Sequence, residues 1–134
     1  MKVKLIIPAW PKTSVWGNFF RFPYLSLTTL AAVTPEGWEV VIADENVAPL
    51  DFDAEVDLVG ISALTPLALR AYDIADEFRR RGRTVVVGGH HATWMTEEAL
   101  LHADAVVTGE AEVSWPRLLA DVGARNLQRI YRAE

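Results

Sequence analysis

The chain has 134 residues, a length that suits one compact domain, and 51% of them are hydrophobic, enough to bury a core without covalent staples. The formal net charge of −5 disfavours a nucleic-acid-binding surface, which is usually basic. The sequence contains no cysteine, which excludes disulfides, thiolate nucleophiles and iron–sulfur ligation by this chain.

The first ten residues, "MKVKLIIPAW", contain only a short apolar run before Pro8. Such a run is too short for a signal peptide or a membrane span. We therefore expect a cytoplasmic domain that contacts neither membranes nor nucleic acid.

Along the chain, apolar runs rich in β-branched residues alternate with segments of helical spacing. The strands predicted from these runs are 3–8, 38–44, 57–62, 84–89 and 104–110, and the predicted helices are 23–35, 66–82, 95–103 and 112–122. Residues 9–22 contain five aromatics among Pro, Gly, Ser and Asn, which predicts a long loop, and 45–56 predict a short acidic crossover. Residues 127–132 are a possible sixth strand at the sheet edge.

Two helix signals are specific enough to test. In the segment 66–82, Pro66 lies near the first helical position, arginines fill the last turn and Gly82 follows as the C′ residue. In the segment 95–103, Thr96 is the expected N-cap, with two glutamates in the first turn.

Strands that alternate with helices predict a parallel sheet covered on both faces. We predict an α/β fold, a Rossmann-like (flavodoxin-like), doubly wound parallel five-stranded sheet of order 2-1-3-4-5, with the possible sixth edge strand. Ligands of such sheets bind outside the carboxyl ends of the strands, near the point where the strand order reverses. The loops after the strands, at 9–22, 44–45, 62–66, 88–94 and 108–112, are therefore the candidate site.

Several ligands fit these loops poorly. The chain has neither G-x-G-x-x-G nor a P-loop motif, so dinucleotide and P-loop phosphate sites are disfavoured. A phospho-receiver needs an aspartate where Ser62 stands, and Thr13 and Ser14 offer only a faint flavin-phosphate loop. We expect no metal site at His90 and His91, because adjacent side chains of an extended segment point to opposite sides and metal-ligand spacings are missing.

The pattern that remains is Ser62-Ala63-Leu64 after the third strand and Gly88-Gly89 after the fourth. Here the chain resembles the cobalamin (B12)-binding domain family, which carries Ser-x-Leu and Gly-Gly at these two places. The family's D-x-H-x-x-G element, whose histidine is the lower cobalt ligand, is absent from 9–22.

One subgroup of that family also lacks the histidine, namely the B12-binding domains fused ahead of radical S-adenosylmethionine (SAM) enzymes. The chain is similar to this subgroup over most of its length. The matching stretches are "ADEN" (43–46), "DLVGISALT" (57–65), "AYDIADEFRRRG" (71–82), "VVVGGHHAT" (85–93), "ADAVVTGEAEVSWPRLLAD" (103–121) and "IYR" (130–132). Asp44 and Glu45 resemble the subgroup's Asp-Glu pair, which we expect to be structural or to face another domain rather than to be catalytic.

The resemblance implies which residues contact cobalamin. Cobalamin is a flat macrocycle with a long nucleotide tail, so it needs an apolar floor, polar groups for its amides and close approach of the backbone. The glycines lack a Cβ, hydroxyls can bond tail or side-arm groups, and aromatics of 9–22 can floor the corrin in place of the histidine. The residues expected to bind the cofactor are Trp10, Trp16, Ser62, Leu64, Thr65, Gly88, Gly89, His90, Thr93, Gly109 and Glu110.

Some of these positions have plainer explanations. Gly88-Gly89 can simply end a strand, Ser62 can cap the next helix, and Glu110 and Glu112 can either accept hydrogen bonds from the ligand or support the following helix through its dipole. We also expect Gly89→Val to remove binding without unfolding the chain, provided that the backbone angles at Gly89 are ordinary.

The sequence thus predicts that residues 1–134 form one cobalamin-binding domain, with cobalamin base-off and His-off. A radical SAM domain is expected downstream, where SAM and a [4Fe–4S] cluster would bind, for methyl transfer or a radical rearrangement. The chain alone is expected to have no catalytic activity. The alternatives are a flavodoxin-like redox module that binds flavin and a docking domain that binds nothing.

Overall fold

The structure, a computed structural model, describes residues 1–11 and 25–133. The strands are β1 (Lys2–Ile7), β2 (Glu39–Asp44), β3 (Leu58–Ser62), β4 (Val85–Gly88), β5 (Ala105–Thr108) and β6 (Ile130–Arg132). The helices are α1 (Leu25–Ala32), α2 (Ala68–Arg80), α3 (His90–Trp94), α4 (Thr96–Ala99) and α5 (Ala111–Gly123), with a 3-10 turn at Thr65–Leu67. Among these described residues, no helix is both long and apolar enough to cross a membrane.

The strands form one parallel sheet of order β2-β1-β3-β4-β5-β6. The predicted fold class and strand order are therefore confirmed, and the possible sixth strand is present at the edge beside β5. The order reverses between β1 and β3, so the carboxyl ends of these two strands flank the switch point at which such folds bind ligands.

Each face of the sheet has its own core, because side chains alternate between the faces along every strand. On β1, Leu5 and Ile7 face the layer that contains α1 and α5, whereas Ile6 faces the layer that contains α2, α3 and α4. Both layers are dominated by fully buried aliphatic side chains, which explains why the inner strands are apolar throughout.

Helix α2 confirms the predicted stop signal. Its C-terminus is a Schellman motif, in which Arg83 N–H donates to Phe78 O and Gly82 N–H donates to Arg79 O. Gly82 is the C′ residue with φ +81°, a conformation that suits glycine. Phe78 itself is fully buried, so the last turn is also fixed by packing.

Two local predictions after β4 are wrong. The segment expected to be an extended loop, 88–94, contains the short helix α3, so His90 and His91 lie on a helix rather than on opposite sides of a strand. Thr96 is not an N-cap but the first residue of α4, and its hydroxyl donates back to Ala92 O at 2.9 Å. Helix α3 is too short for hydrophobic periodicity to reveal it, since it spans little more than one turn.

A candidate cofactor site at the carboxyl edge of the sheet

A cavity of about 210 Å³ lies between the sheet and helices α1 and α5, and opens at the carboxyl edge. Its inner part is lined by aliphatic and aromatic side chains of three strands and both helices, which are Leu5, Val86, Val107, Leu27, Leu30 and Trp115. All of these side chains belong to the core on this face of the sheet. The cavity is therefore a gap in a hydrophobic layer that extends to the surface.

Small residues on neighbouring strands create the opening. Ser62 at the end of β3 is paired with Gly88 at the end of β4, and both line the cavity. Two residues earlier on β3, and thus on the same face, Gly60 also lines it. Larger residues at these positions would fill the space, because a Cβ on Gly88 would already lie 3.6 Å from the Cβ of Val107.

The floor of the cavity depends on residues that the sequence analysis did not select. A Cβ on Gly60 would lie 2.9 Å from Leu5 Cδ2 and 3.7 Å from Trp115 Cη2. The Trp115 indole is held in place by Nε1–H, which donates to Thr34 Oγ1 at 3.0 Å. A glycine inside the apolar run "DLVGIS" was the available signal, since a mid-strand glycine often marks close approach of another group.

The mouth of the cavity is polar. Ser26, Ser62, Glu110 and Glu112 line it together with backbone of the glycines after β4 and β5. Glu110 occupies the N-cap position of α5, but its side chain makes no capping hydrogen bond. Glu112 lies in the first turn of α5, so both carboxylates lie at the end of the helix where its dipole favours negative charge, and Glu110 lines the mouth as well.

Thr93 links the backbone at Gly89, after β4, to the backbone at Gly109, after β5. Its hydroxyl donates to Gly89 O at 3.0 Å and accepts a hydrogen bond from Gly109 N–H at 3.1 Å. Thr93 is not among the residues that line the cavity. It holds the ends of β4 and β5 in register.

Gly89 has a structural role that was not expected. Its backbone has φ +98° and ψ −174°, a region that is essentially restricted to glycine. A Cβ there would lie 2.9 Å from Ala63 O and 3.0 Å from Ala63 N. The expectation that a valine is tolerated here is wrong, because both the backbone angles and the loop after β3 exclude a side chain.

The remaining predicted residues lie outside the cavity. Leu64 is 43% exposed on the loop after β3, and Thr65 follows it at the start of the 3-10 turn. Thr65 Oγ1 is 3.2 Å from His91 Nδ1, whose other ring nitrogen is 2.9 Å from Glu98 Oε1. The His90 ring is exposed and lies edge-on to Trp94.

Trp10 lies on the opposite side of the sheet from the cavity. Its side chain is half-buried against the core layer of α2, and its backbone N–H donates to Asn46 Oδ1 at 2.9 Å. Trp16 lies outside the described residues, as do Phe19 and Phe20. The expected aromatic floor therefore stays a prediction, and Trp10 contributes nothing to the cavity lining.

Glu45 anchors the chain as it leaves β1. Its carboxylate accepts hydrogen bonds from Arg70 Nε at 2.9 Å, Arg70 Nη2 at 2.5 Å and Ala9 N–H at 3.0 Å. The hydrogen bonds from Arg70, with help from Ala9 N–H, lower the pKa of Glu45 even though burial opposes the shift. This pair fixes the position of Ala9 and Trp10 relative to α2, which agrees with a structural role.

Glu45→Gln is expected to lower the free energy of unfolding at pH 7 by about 1–2 kcal/mol, because it weakens a charge-assisted pair whose arginine is partly solvated. The folded-state pKa lies below the unfolded value of 4.5, so this stabilisation is complete above pH 4.5 and is lost as the pH falls through the folded-state pKa. Denaturant unfolding from pH 7 downwards should show the difference in stability between the variant and the native chain shrinking as the pH falls below 4.5. Glu36→Gln, at an exposed position, is the control; equal stability losses for both variants at pH 7 would contradict the assignment.

Within the described part of the chain, no group of three His, Asp or Glu side chains is placed to hold a metal ion.

Comparison with known proteins identifies the family. The sequence profile described as "B12 binding domain" matches residues 20–119. The chain belongs to the B12-binding domain family. The cavity thus lies in a B12-binding domain, beside the two motifs that carried the sequence resemblance.

Relatives of this B12-binding domain are methyltransferases. The chain is 43% identical over 109 residues to bacteriochlorophyllide d C-8(2)-methyltransferase of Chlorobaculum tepidum, a match that covers 81% of the chain and 24% of that enzyme. It is 34% identical over 112 residues to bacteriochlorophyllide d C-12(1)-methyltransferase of the same organism, with the same coverage. The chain therefore spans about a quarter of the length of these relatives.

A solved structure has the same fold. The N-terminal domain of a hypothetical protein from Thermotoga maritima superposes with a TM-score of 0.51 at 22% identity, covering 64% of this chain and 74% of that one.

Proposed function

We propose that this domain binds cobalamin at the carboxyl edge of the sheet and presents it to a radical SAM domain for methyl transfer. The observation that carries the proposal is the apolar cavity that opens between Ser62 and Gly88, the two positions at which the chain resembles cobalamin binders. The nucleotide tail would enter this cavity, and the corrin would lie across its mouth.

The residues present fit the cofactor. Apolar cavities of about 150 Å³ accommodate benzene, so a cavity of about 210 Å³ has room for the larger bicyclic base of the tail. The polar mouth provides Ser26, Ser62 and the backbone of the glycines for the ribose and phosphate. The inner part of the cavity is thus apolar, as suits the base of the tail, and its mouth is polar, as suits the ribose and phosphate.

The surface around the mouth suits a large macrocycle. Leu64, Trp94 and Val113 are 43%, 75% and 57% exposed, and each follows a different strand at the carboxyl edge. Exposed apolar side chains gathered at one edge are typical of a ligand or partner site. We expect the corrin to cover some of them and Thr65 and His90 to meet its amide side arms.

The expected state of bound cobalamin is base-off and His-off. The D-x-H-x-x-G element is missing, and His91 and His102 are engaged with Glu98 and Asp76. EPR spectra of the Co(II) form should therefore show no nitrogen superhyperfine splitting. A splitting that disappears in His90→Ala would instead assign His90, the exposed histidine, as a cobalt ligand.

The partner domain is inferred from the relatives. Those enzymes are methyltransferases about three and a half times as long as this chain, which leaves room for a catalytic domain. Cobalamin supplies a cobalt centre that can carry a methyl group. The chain contains no cysteine, so the cluster of a radical SAM domain would need thiolates from outside these 134 residues.

The proposal is tested by titrating the chain with hydroxocobalamin and, separately, with flavin mononucleotide. We expect a saturable change in the visible spectrum with cobalamin, one equivalent retained after gel filtration, and no retention of flavin. Retention of flavin alone would support the flavodoxin-like alternative. Retention of neither would support a docking domain.

A further inference from the structure

We propose that the cavity selects corrinoids by their lower base, and prefers cobalamin, with its dimethylbenzimidazole, over corrinoids that carry adenine. This inference rests on the proposed function, since it assigns a specificity to the same site. It concerns the inner lining of the cavity, which the sequence motifs do not include.

The inner lining offers no side-chain hydrogen-bonding group among the described residues. Leu5, Val86 and Val107 present aliphatic groups from the strands, and Leu27 and Leu30 present them from α1. The backbone of these strands is paired with neighbouring strands in the parallel sheet. The single polar atom of the lining indole, Trp115 Nε1, already donates to Thr34 Oγ1.

This chemistry discriminates between the two bases. Adenine carries two further ring nitrogens and an exocyclic amine where dimethylbenzimidazole carries carbon atoms and two methyl groups. Buried in this lining, those polar atoms would lose their water without gaining protein partners, whereas the methyl groups gain apolar contacts. The polar side chains of the lining all lie where elements begin or end at the carboxyl edge: Ser62 ends β3, Ser26 begins α1, and Glu110 and Glu112 begin α5.

The test compares three corrinoids in their hydroxo forms: cobalamin, its adenine-based analogue, and cobinamide, which has no nucleotide tail. We expect the dissociation constant of the adenine analogue to exceed that of cobalamin at least tenfold and to approach that of cobinamide. Similar constants for cobalamin and the adenine analogue would overturn the selectivity while leaving cobalamin binding intact. Failure of cobalamin itself to bind would overturn the proposed function as well.

A variant pair locates the selectivity. Val107→Thr adds a hydroxyl to the cavity lining at nearly constant volume, and Val106→Thr makes the same change on the opposite face of the same strand. We expect Val107→Thr to narrow the affinity ratio between cobalamin and the adenine analogue at least threefold, and Val106→Thr to leave the ratio unchanged. The ratio is measured on the same folded protein, so a loss of stability does not alter it. An unchanged ratio in Val107→Thr would place the discrimination outside this cavity.

Discussion

Gly88→Val is expected to lower the affinity for cobalamin at least tenfold while the domain stays folded. Gly88 has no positive φ, and its Cβ would make only ordinary contacts, 3.6 Å from Val107 Cβ and Val107 O. A branched side chain there occupies the mouth opposite Ser62, where the nucleotide tail must pass. Valine is favourable in strands, so the free energy of unfolding should change by no more than about 1 kcal/mol.

The matched control for this experiment is Gly123→Val at the end of α5. Gly123 also lacks a positive φ, and its nearest neighbour would be Met1 Sδ at 3.8 Å, far from the carboxyl edge. Cobalamin affinity and denaturant unfolding should be measured for both variants. Normal cobalamin binding by folded Gly88→Val would show that the tail does not pass between β3 and β4.

Gly89→Ala is expected to destabilise the domain by about 2–4 kcal/mol. The added methyl group would force a positive φ on a residue with a Cβ and would press against Ala63 O and Ala63 N at 2.9–3.0 Å. Neither contact can relax cheaply, because Ala63 N–H donates to Gly88 O and Ala63 O accepts from His91 N–H. Denaturant unfolding measures the loss directly.

Gly37→Ala is the comparison for that loss. Gly37 has a similar φ of +93°, but nothing lies within 4 Å of its Cβ position, so this variant carries the backbone strain alone. We expect Gly89→Ala to cost more than Gly37→Ala, because Gly89 adds the contact with the loop after β3 and an extended ψ of −174° to its positive φ. Equal losses for the two variants would mean that this loop moves aside freely.

Much of the fold follows from the sequence. The apolar runs at 57–62 and 84–89 predicted strands buried on both faces, and their alternation with helices predicted parallel connections. The end of α2 before Gly82 could be predicted, because the Schellman motif depends on residues that are close together in the chain. Ser62 and Gly88 were also found in this way, since the family pattern and the strand ends coincide.

Other features depend on contacts between distant segments, so the sequence could not define them. Helix α3 is too short to leave a periodic pattern, and Gly89 is confined by Ala63, which lies 26 positions earlier. The cavity itself exists because Gly60, Leu5 and Trp115 meet from three separate elements, with the indole fixed by Thr34. The sequence by itself determined the strand order, the edge of the sheet and the family. Only the tertiary structure decided on which face of the sheet the cavity lies. The cavity is a space that the side chains of distant elements leave unfilled when they pack together, and the sequence does not show which elements meet there.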